Sequence, residues 1–277
     1  MYRHNMVMTL RYFNILCVFL LIATPALAEA PLAESMQIKA LYDCQFNGIP
    51  FGRVGIEAEQ SLQSYAISAD IMLTGIAALF VKHSSHTTVD ASGKQYGNVR
   101  YESNYRTRKK QKYVNLVYRD GLLKEEKLMP PEDAKKRPVV DMEQKKDATD
   151  PLSLLIRARQ LLADNLARNK NSFTTRVFDG RRLNELSFTI AGRKTIRMGE
   201  EKQPVVVVSV NRKPIAGFTA SELEDISPKE APIVIYFSDD ARLWPIRFET
   251  RISLGLISAS IVKECKTGES CLLGNKE

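Results

Sequence analysis

The sequence predicts a mainly β protein: one strongly curved antiparallel sheet, an open barrel or β-spiral, wrapped around one long helix. Three observations lead there. Apolar and polar residues alternate with period two in one segment after another, as half-buried strands require. Turn-forming residues fall between those segments at hairpin spacing. One stretch, residues 150–166, carries a strong helix signal, and it is apolar around so much of its circumference that it needs cover on several sides.

The chain opens with an export signature. Arg3 and Arg11 precede an uncharged apolar run over residues 12–22, and Ala26-Leu27-Ala28 has the small-x-small pattern of a signal peptidase site. Residues 1–28 are therefore expected to be a cleaved signal peptide, and residues 29–277 a single β-rich periplasmic domain. The apolar run is short for a bilayer core of about 30 Å, and no second run of about 20 apolar residues follows, so no stable membrane insertion is expected. A hydrophobic fraction of 44% supplies a core and excludes a disordered chain. Loss of Arg3 and Arg11 takes the net charge from +8 to +6, a mild excess suited to anionic lipid or cell-wall polymer. Export argues against a nucleic-acid partner.

The strands follow in order. Ile38, Ala40, Tyr42, Cys44 and Phe46 share one face, then Val54, Ile56 and Ala58, then Tyr65, Ile67, Ala69, Ile71 and Leu73. Val114, Leu116 and Tyr118 continue the series, as do Leu186, Phe188, Ile190 and later Trp244, Ile246, Phe248. Asn47-Gly48, Asp120-Gly121, Asp179-Gly180, Ala191-Gly192 and Ser238-Asp239-Asp240 mark turns. Helical crossovers are mostly missing, which favours an antiparallel meander over a parallel sheet. Two segments break the alternation: residues 75–81, a bend or short helical turn, and residues 129–149, a charged linker rich in Pro, Lys, Asp and Glu.

The helix begins with Asp150 as N-cap and Pro151 at the first helical position. Its polar sector is narrow, around Arg157, Gln160 and Asp164. Arg159 instead falls within the apolar arc, where an unpaired guanidinium is costly. Two readings stand. Arg159 pairs with a carboxylate or strand carbonyls in the core, or it faces a cavity and grips the acidic head of an amphiphile. The densest basic run comprises Arg106, Arg108, Lys109, Lys110 and Lys112, flanked by Tyr105 and Tyr113. It reads either as a charged hairpin tip or protected edge, or as a docking patch for anionic lipid or polymer.

Cys17 leaves with the signal, so three cysteines remain. Cys265 with Cys271 is the expected disulfide, leaving Cys44 as a thiol; the competing arrangement joins Cys44 to one of the other two. His83 and His86 lie three apart, which on a strand puts them on opposite faces and suits no single metal. The chain has no Gly-x-Ser-x-Gly elbow, no His-Glu-x-x-His and no Walker phosphate loop. Neither an enzyme nor a cofactor is expected.

Tyr42-Asp43 with Gly48-Ile49 and Gly52, Asp150-Pro151-Leu152-Ser153 leading to Arg159, and Ser238-Asp239-Asp240 with Arg242 and Pro245 occur here in one order. In that order and spacing the chain resembles the DUF3108 family of exported bacterial proteins, over about residues 38–262. The resemblance implies a mostly β periplasmic protein without an assigned activity. In layout the chain is also similar to the half-barrels of periplasmic lipoprotein carriers and to β-spiral envelope-integrity proteins. The expected function is a non-enzymatic factor for cell-envelope maintenance that holds a lipid or other amphiphile in the concave face of the sheet. The alternative is an adaptor without a ligand cavity that docks on cell-wall or envelope machinery.

Overall fold

Period-two alternation becomes fourteen strands of one sheet in a computed structural model, which describes residues 35–75, 78, 83–107, 110–226 and 231–274. The signal residues 1–28, most of segment 75–81, Arg108, Lys109 and the side chain of His83 lie outside the described residues.

Seven strands follow one another as an antiparallel meander: β1 (Met36–Phe46), β2 (Ile49–Gln60), β3 (Ser64–Leu73), β4 (His83–Ser92), β5 (Asn98–Thr107), β6 (Gln111–Arg119) and β7 (Leu122–Met129). The chain then runs through a short β8 (Ala148–Thr149) into the helix α1 (Ser153–Ala167). A second meander follows: β9 (Ser172–Phe178), β10 (Leu183–Met198), β11 (Glu201–Ala216), the short helix α2 (Ala220–Asp225), β12 (Ile233–Ser238), β13 (Pro245–Ile252) and β14 (Gly255–Glu264). The two meanders join where β14 pairs with β1, from Ala40 opposite Glu264 to Phe46 opposite Ile257. Among the described residues the sheet stays open, with β7 and β8 at its edges. One pairing departs from the antiparallel expectation, since β8 runs parallel to β9.

Asn47 and Gly48 both have positive φ, the conformation of a two-residue primed turn, and Asp120-Gly121 repeats it. Most of the alternating residues face inward as expected, but Ile71 on β3 is 40% exposed while its neighbour Asp70, which holds the C-terminal segment, is buried. Ile38, Ala40, Tyr42, Ile67, Val89 and Leu116 form one cluster that also takes in Leu152 and Ile156 of the helix region. A second cluster joins Ala158 and Leu162 of α1 to Phe188, Val206, Val208 and Phe237 of the second meander. The helix therefore packs against both halves of the sheet. It does not begin at 150: Asp150 caps from just outside, its Oδ1 accepting the backbone N–H groups of Leu152 at 3.0 Å and Ser153 at 2.9 Å.

The expectation of one long helix inside the sheet needs correction. The helix has fifteen residues, about 22 Å at 1.5 Å per residue, which is short beside a sheet of fourteen strands. Arg157 and Asp164 on its polar sector are exposed. Segment 129–149 also differs from a linker with little to bury, because Arg137, Val140 and Lys145 are all buried. The Nζ of Lys145 lies 2.5 Å from Glu126 Oε2 and over the ring of Phe178, so its charge goes inward with a partner.

Candidate functional site

Cross-strand register builds the site. Asn104 of β5 sits opposite Tyr113 of β6, and Tyr113 sits opposite Met129 of β7, so one row of side chains crosses three strands next to the β5–β6 tip. The chain leaves β7 through Pro130 and Pro131, which extend that row's apolar surface. The result is a groove of about 1060 Å³, with Met129 left 53% exposed. Lys110, Lys112, Lys136 and Arg181 stand along it.

Two of these cations have carboxylate partners. Arg181 pairs with Glu132 and donates to the Pro130 carbonyl at 3.2 Å, and Lys136 lies 3.4 Å from Asp133. Among the described residues no carboxylate comes within ion-pair distance of Lys110 or Lys112. The ammonium of Lys112 instead lies 6.0 Å from the centre of the Tyr105 ring. Burial, then the neighbouring charges of Arg181, Arg182, Lys110 and Arg137, push its pKa down. An apolar floor beside crowded cations suits a ligand with an acidic head and a hydrocarbon tail.

The described residues of this run stand at the β5–β6 connection, where the Thr107 N–H donates to the Lys110 carbonyl at 2.8 Å and the Lys110 N–H donates to Thr107 Oγ1 at 3.0 Å. The run does not protect an edge, because β5 and β6 are interior strands and the edge is β7. Arg106 is exposed and does not line the groove. Met129, Pro130, Pro131 and Arg181 were not expected in a site. Nothing local in the sequence carries a signal for Met129 or Arg181, since β7 reads Leu-Leu-Lys-Glu-Glu-Lys-Leu-Met without period-two alternation.

An ion-pair network holds the groove's far wall. Arg137 donates to both carboxylate oxygens of Glu222, at 2.6 and 2.7 Å, to Glu132 at 2.9 Å and to the Gly217 carbonyl. Arg182 joins the same carboxylate, which also accepts the N–H of Thr219 at the start of α2. The bonds from Arg137, above all, hold the Glu222 carboxyl well below the usual carboxylate range despite partial burial. A depressed folded-state pKa gives stability that is fully present above the ordinary value of about 4.5 and is lost as the pH falls toward the lower one. Glu222→Gln is therefore expected to cost about 2 kcal/mol at pH 7. Urea unfolding of both proteins should show that gap closing as the pH drops below about 4.

Cys265 and Cys271 are joined by a disulfide, and Cys44 on β1 remains a thiol whose pKa burial pushes up, with the Asp43 charge adding to it. The C-terminal segment then lies across β1–β3. Glu57 accepts from the Ser270 hydroxyl at 2.6 Å and the Cys271 N–H at 2.8 Å, and Asp70 accepts from the Leu273 N–H at 3.0 Å. Gly55 permits this crossing, since a Cβ there would stand 2.1 Å from the Cys271 carbonyl oxygen. Asp70 also lies 2.6 Å from His86 Nδ1. Among the described residues no three His, Cys, Asp or Glu side chains converge, and no helix is long and apolar enough to cross a membrane.

The model of a family described as "Protein of unknown function (DUF3108)" matches residues 41–262. The chain belongs to that family. No curated protein and no solved structure matches it.

The geometry gives a common place to Tyr42, Arg159, Ser238, Asp240, Arg242 and Pro245 among the residues that carried the DUF3108 resemblance. Tyr42 donates to the Pro245 carbonyl at 2.7 Å and accepts from Trp244 Nε1 at 2.8 Å. Asp240 Oδ1 accepts from the Ser238 hydroxyl at 2.8 Å and the Arg242 N–H at 2.9 Å, closing the β12–β13 turn. Against burial, those bonds and the Arg242 charge keep the Asp240 pKa low. Arg159 docks onto this turn, donating to the carbonyls of Arg242 and of Ala241 (3.2 Å) and to Gln60 Oε1 at 2.7 Å. Its surface is fully covered and it lines neither the groove nor another described cavity. Of the two readings of Arg159, this geometry is the structural one, with carbonyls and an amide in place of a ligand's head. These DUF3108 residues form a junction between helix and sheet.

Proposed function

We propose that this protein is a non-enzymatic cell-envelope factor that binds an acidic amphiphile, with the head at Lys110 and Lys112 and the tail along Tyr113, Met129, Pro130 and Pro131. The observation that carries the reading is one groove combining an apolar floor with two lysines that lack carboxylate partners. This moves the ligand from around Arg159, where the concave face was expected to hold it, to the β5–β6 tip. The helix then serves as the spine on which the two halves of the sheet curl. The export signature and the Cys265–Cys271 disulfide fit a periplasmic location.

Palmitate and its methyl ester test the reading, since they share a tail and differ in charge. Palmitate should bind the full chain in calorimetric titration, more weakly as salt is added, and the ester should bind far less. At about 1 kcal/mol per lysine, the double substitution Lys110→Gln with Lys112→Gln should weaken palmitate about thirtyfold. Equal binding by the double variant, or no palmitate binding at all, would remove this site and favour the adaptor reading.

A further inference from the structure

The cross-strand registers put the β1–β2 turn, the β5–β6 connection, the end of β7 and the β13–β14 turn at one end of the sheet. Exposed aliphatic side chains collect there. Leu254 of the β13–β14 turn is 77% exposed and Ile49 at the β1–β2 turn 62%, and Ile252 and Ile233 follow at the ends of β13 and β12, also exposed. Asn47 locks the first two turns together: its Nδ2 donates to the Leu254 carbonyl at 3.3 Å, and its Oδ1 accepts the Leu256 N–H at 2.8 Å. Ile252 and Ile233 both line a cavity of about 470 Å³, where the Thr250 hydroxyl donates to the Ala231 carbonyl at 3.4 Å.

Turns favour Gly, Asn, Asp and Ser, so a row of aliphatic side chains at strand ends is out of place in water, and exposed apolar patches rimmed by charge mark interaction sites. The charges beside this row select the partner. Arg251 is exposed next to Ile252, and Arg212 and Lys213 line the cavity with Ile252 and Ile233, whereas no carboxylate does. Among the described residues no carboxylate comes within ion-pair distance of Arg251 or Lys213. A second copy of this chain would bring like charges together across a two-fold contact. Aliphatic tips flanked by cations instead match the boundary of an anionic bilayer, where apolar side chains enter the acyl region and cations meet lipid phosphates. We infer that this end of the sheet docks on an anionic lipid bilayer, with Leu254 and Ile49 in the acyl boundary and Arg251 and Lys213 at the phosphates.

The docking stands without a ligand, but what it adds to the proposed function rests on that reading. The groove opens at the same end of the sheet. The β5–β6 connection stands four strand spacings from the β1–β2 turn, about 19 Å along the sheet at ~4.8 Å each. A docked rim therefore holds Lys112 and Met129 close to the bilayer that an acidic amphiphile leaves or enters, and its tail crosses little water on the way.

Flotation of the processed chain, residues 29–277, with vesicles rich in phosphatidylglycerol or made of phosphatidylcholine alone tests the inference. The chain should float with the anionic vesicles, less as salt is raised, and far less with the neutral ones. Leu254→Gln with Ile49→Gln should weaken vesicle binding at least tenfold at an almost unchanged melting temperature, because both side chains are largely in water. Arg251→Gln with Lys213→Gln should weaken it about thirtyfold, at about fivefold per cation. Absence of flotation with anionic vesicles, wild-type flotation of the Leu254 and Ile49 variant, or a concentration-dependent dimer that this variant abolishes would each overturn the inference. Palmitate titration in the absence of vesicles should be unchanged in both variants, so failure of the docking and failure of the groove are read separately.

Discussion

Arg159→Met is expected to cost about 3–5 kcal/mol of folding stability, the scale for removing one side of a buried charged network. Methionine keeps the apolar stem but loses every donor. Buried Gln60 Oε1 and the partly buried carbonyls of Ala241 and Arg242 would lose their donor, and the end of β2, the helix and the β12–β13 turn would lose the group that ties them together. Urea unfolding should show a lower midpoint with little change in slope. Palmitate affinity of the fraction that remains folded should stay at the wild-type value, because Arg159 does not line the groove. A stable Arg159→Met that has lost its ligand would instead restore the cavity reading of this residue.

Trp244→Ala should cost a similar amount, about 3–5 kcal/mol, because a fully buried indole leaves a large hole and the surrounding strands collapse only partly. The indole fills the cluster shared by the first meander and the helix region, and its Nε1 holds the Tyr42 hydroxyl. Trp244→Phe should recover much of the packing but not that bond. A cost of Trp244→Phe that falls by about 1 kcal/mol when Tyr42 is already phenylalanine would assign the bond by a double-mutant cycle.

The alternation at Ile38–Ala40–Tyr42 and Val114–Leu116–Tyr118 was legible because a strand's period of two writes burial directly into residue order. The turns at Asn47-Gly48 and Asp120-Gly121 were legible because few residues tolerate positive φ. The polar sector of the helix was found as well, with Arg157 and Asp164 exposed where projection places them. The parallel strand β8 was not, since two residues are too few to show a period. Segment 129–149 read as a solvated linker because composition cannot reveal that Arg137 meets Glu222 and Lys145 meets Glu126. The same blindness hid half of the groove. Lys110 and Lys112 stood out as charge, but their apolar complement comes from the β7 exit, and tertiary folding alone brings it and the further cation Arg181 alongside. For Arg159 the sequence exposed the anomaly of a charge in an apolar arc, yet its partners are mostly backbone carbonyls, which no side-chain pattern announces.

The central claim is that the groove beside the β5–β6 tip holds the tail of an acidic amphiphile. Photo-crosslinking with a diazirine-bearing fatty acid, followed by peptide mapping, tests it most directly. The account predicts adducts on Tyr113, Met129 and their neighbours at Pro130 and Pro131, suppressed by excess palmitate and by the double substitution of Lys110 and Lys112. Adducts confined to other surfaces, or labelling indifferent to both the competitor and the substitutions, would contradict it.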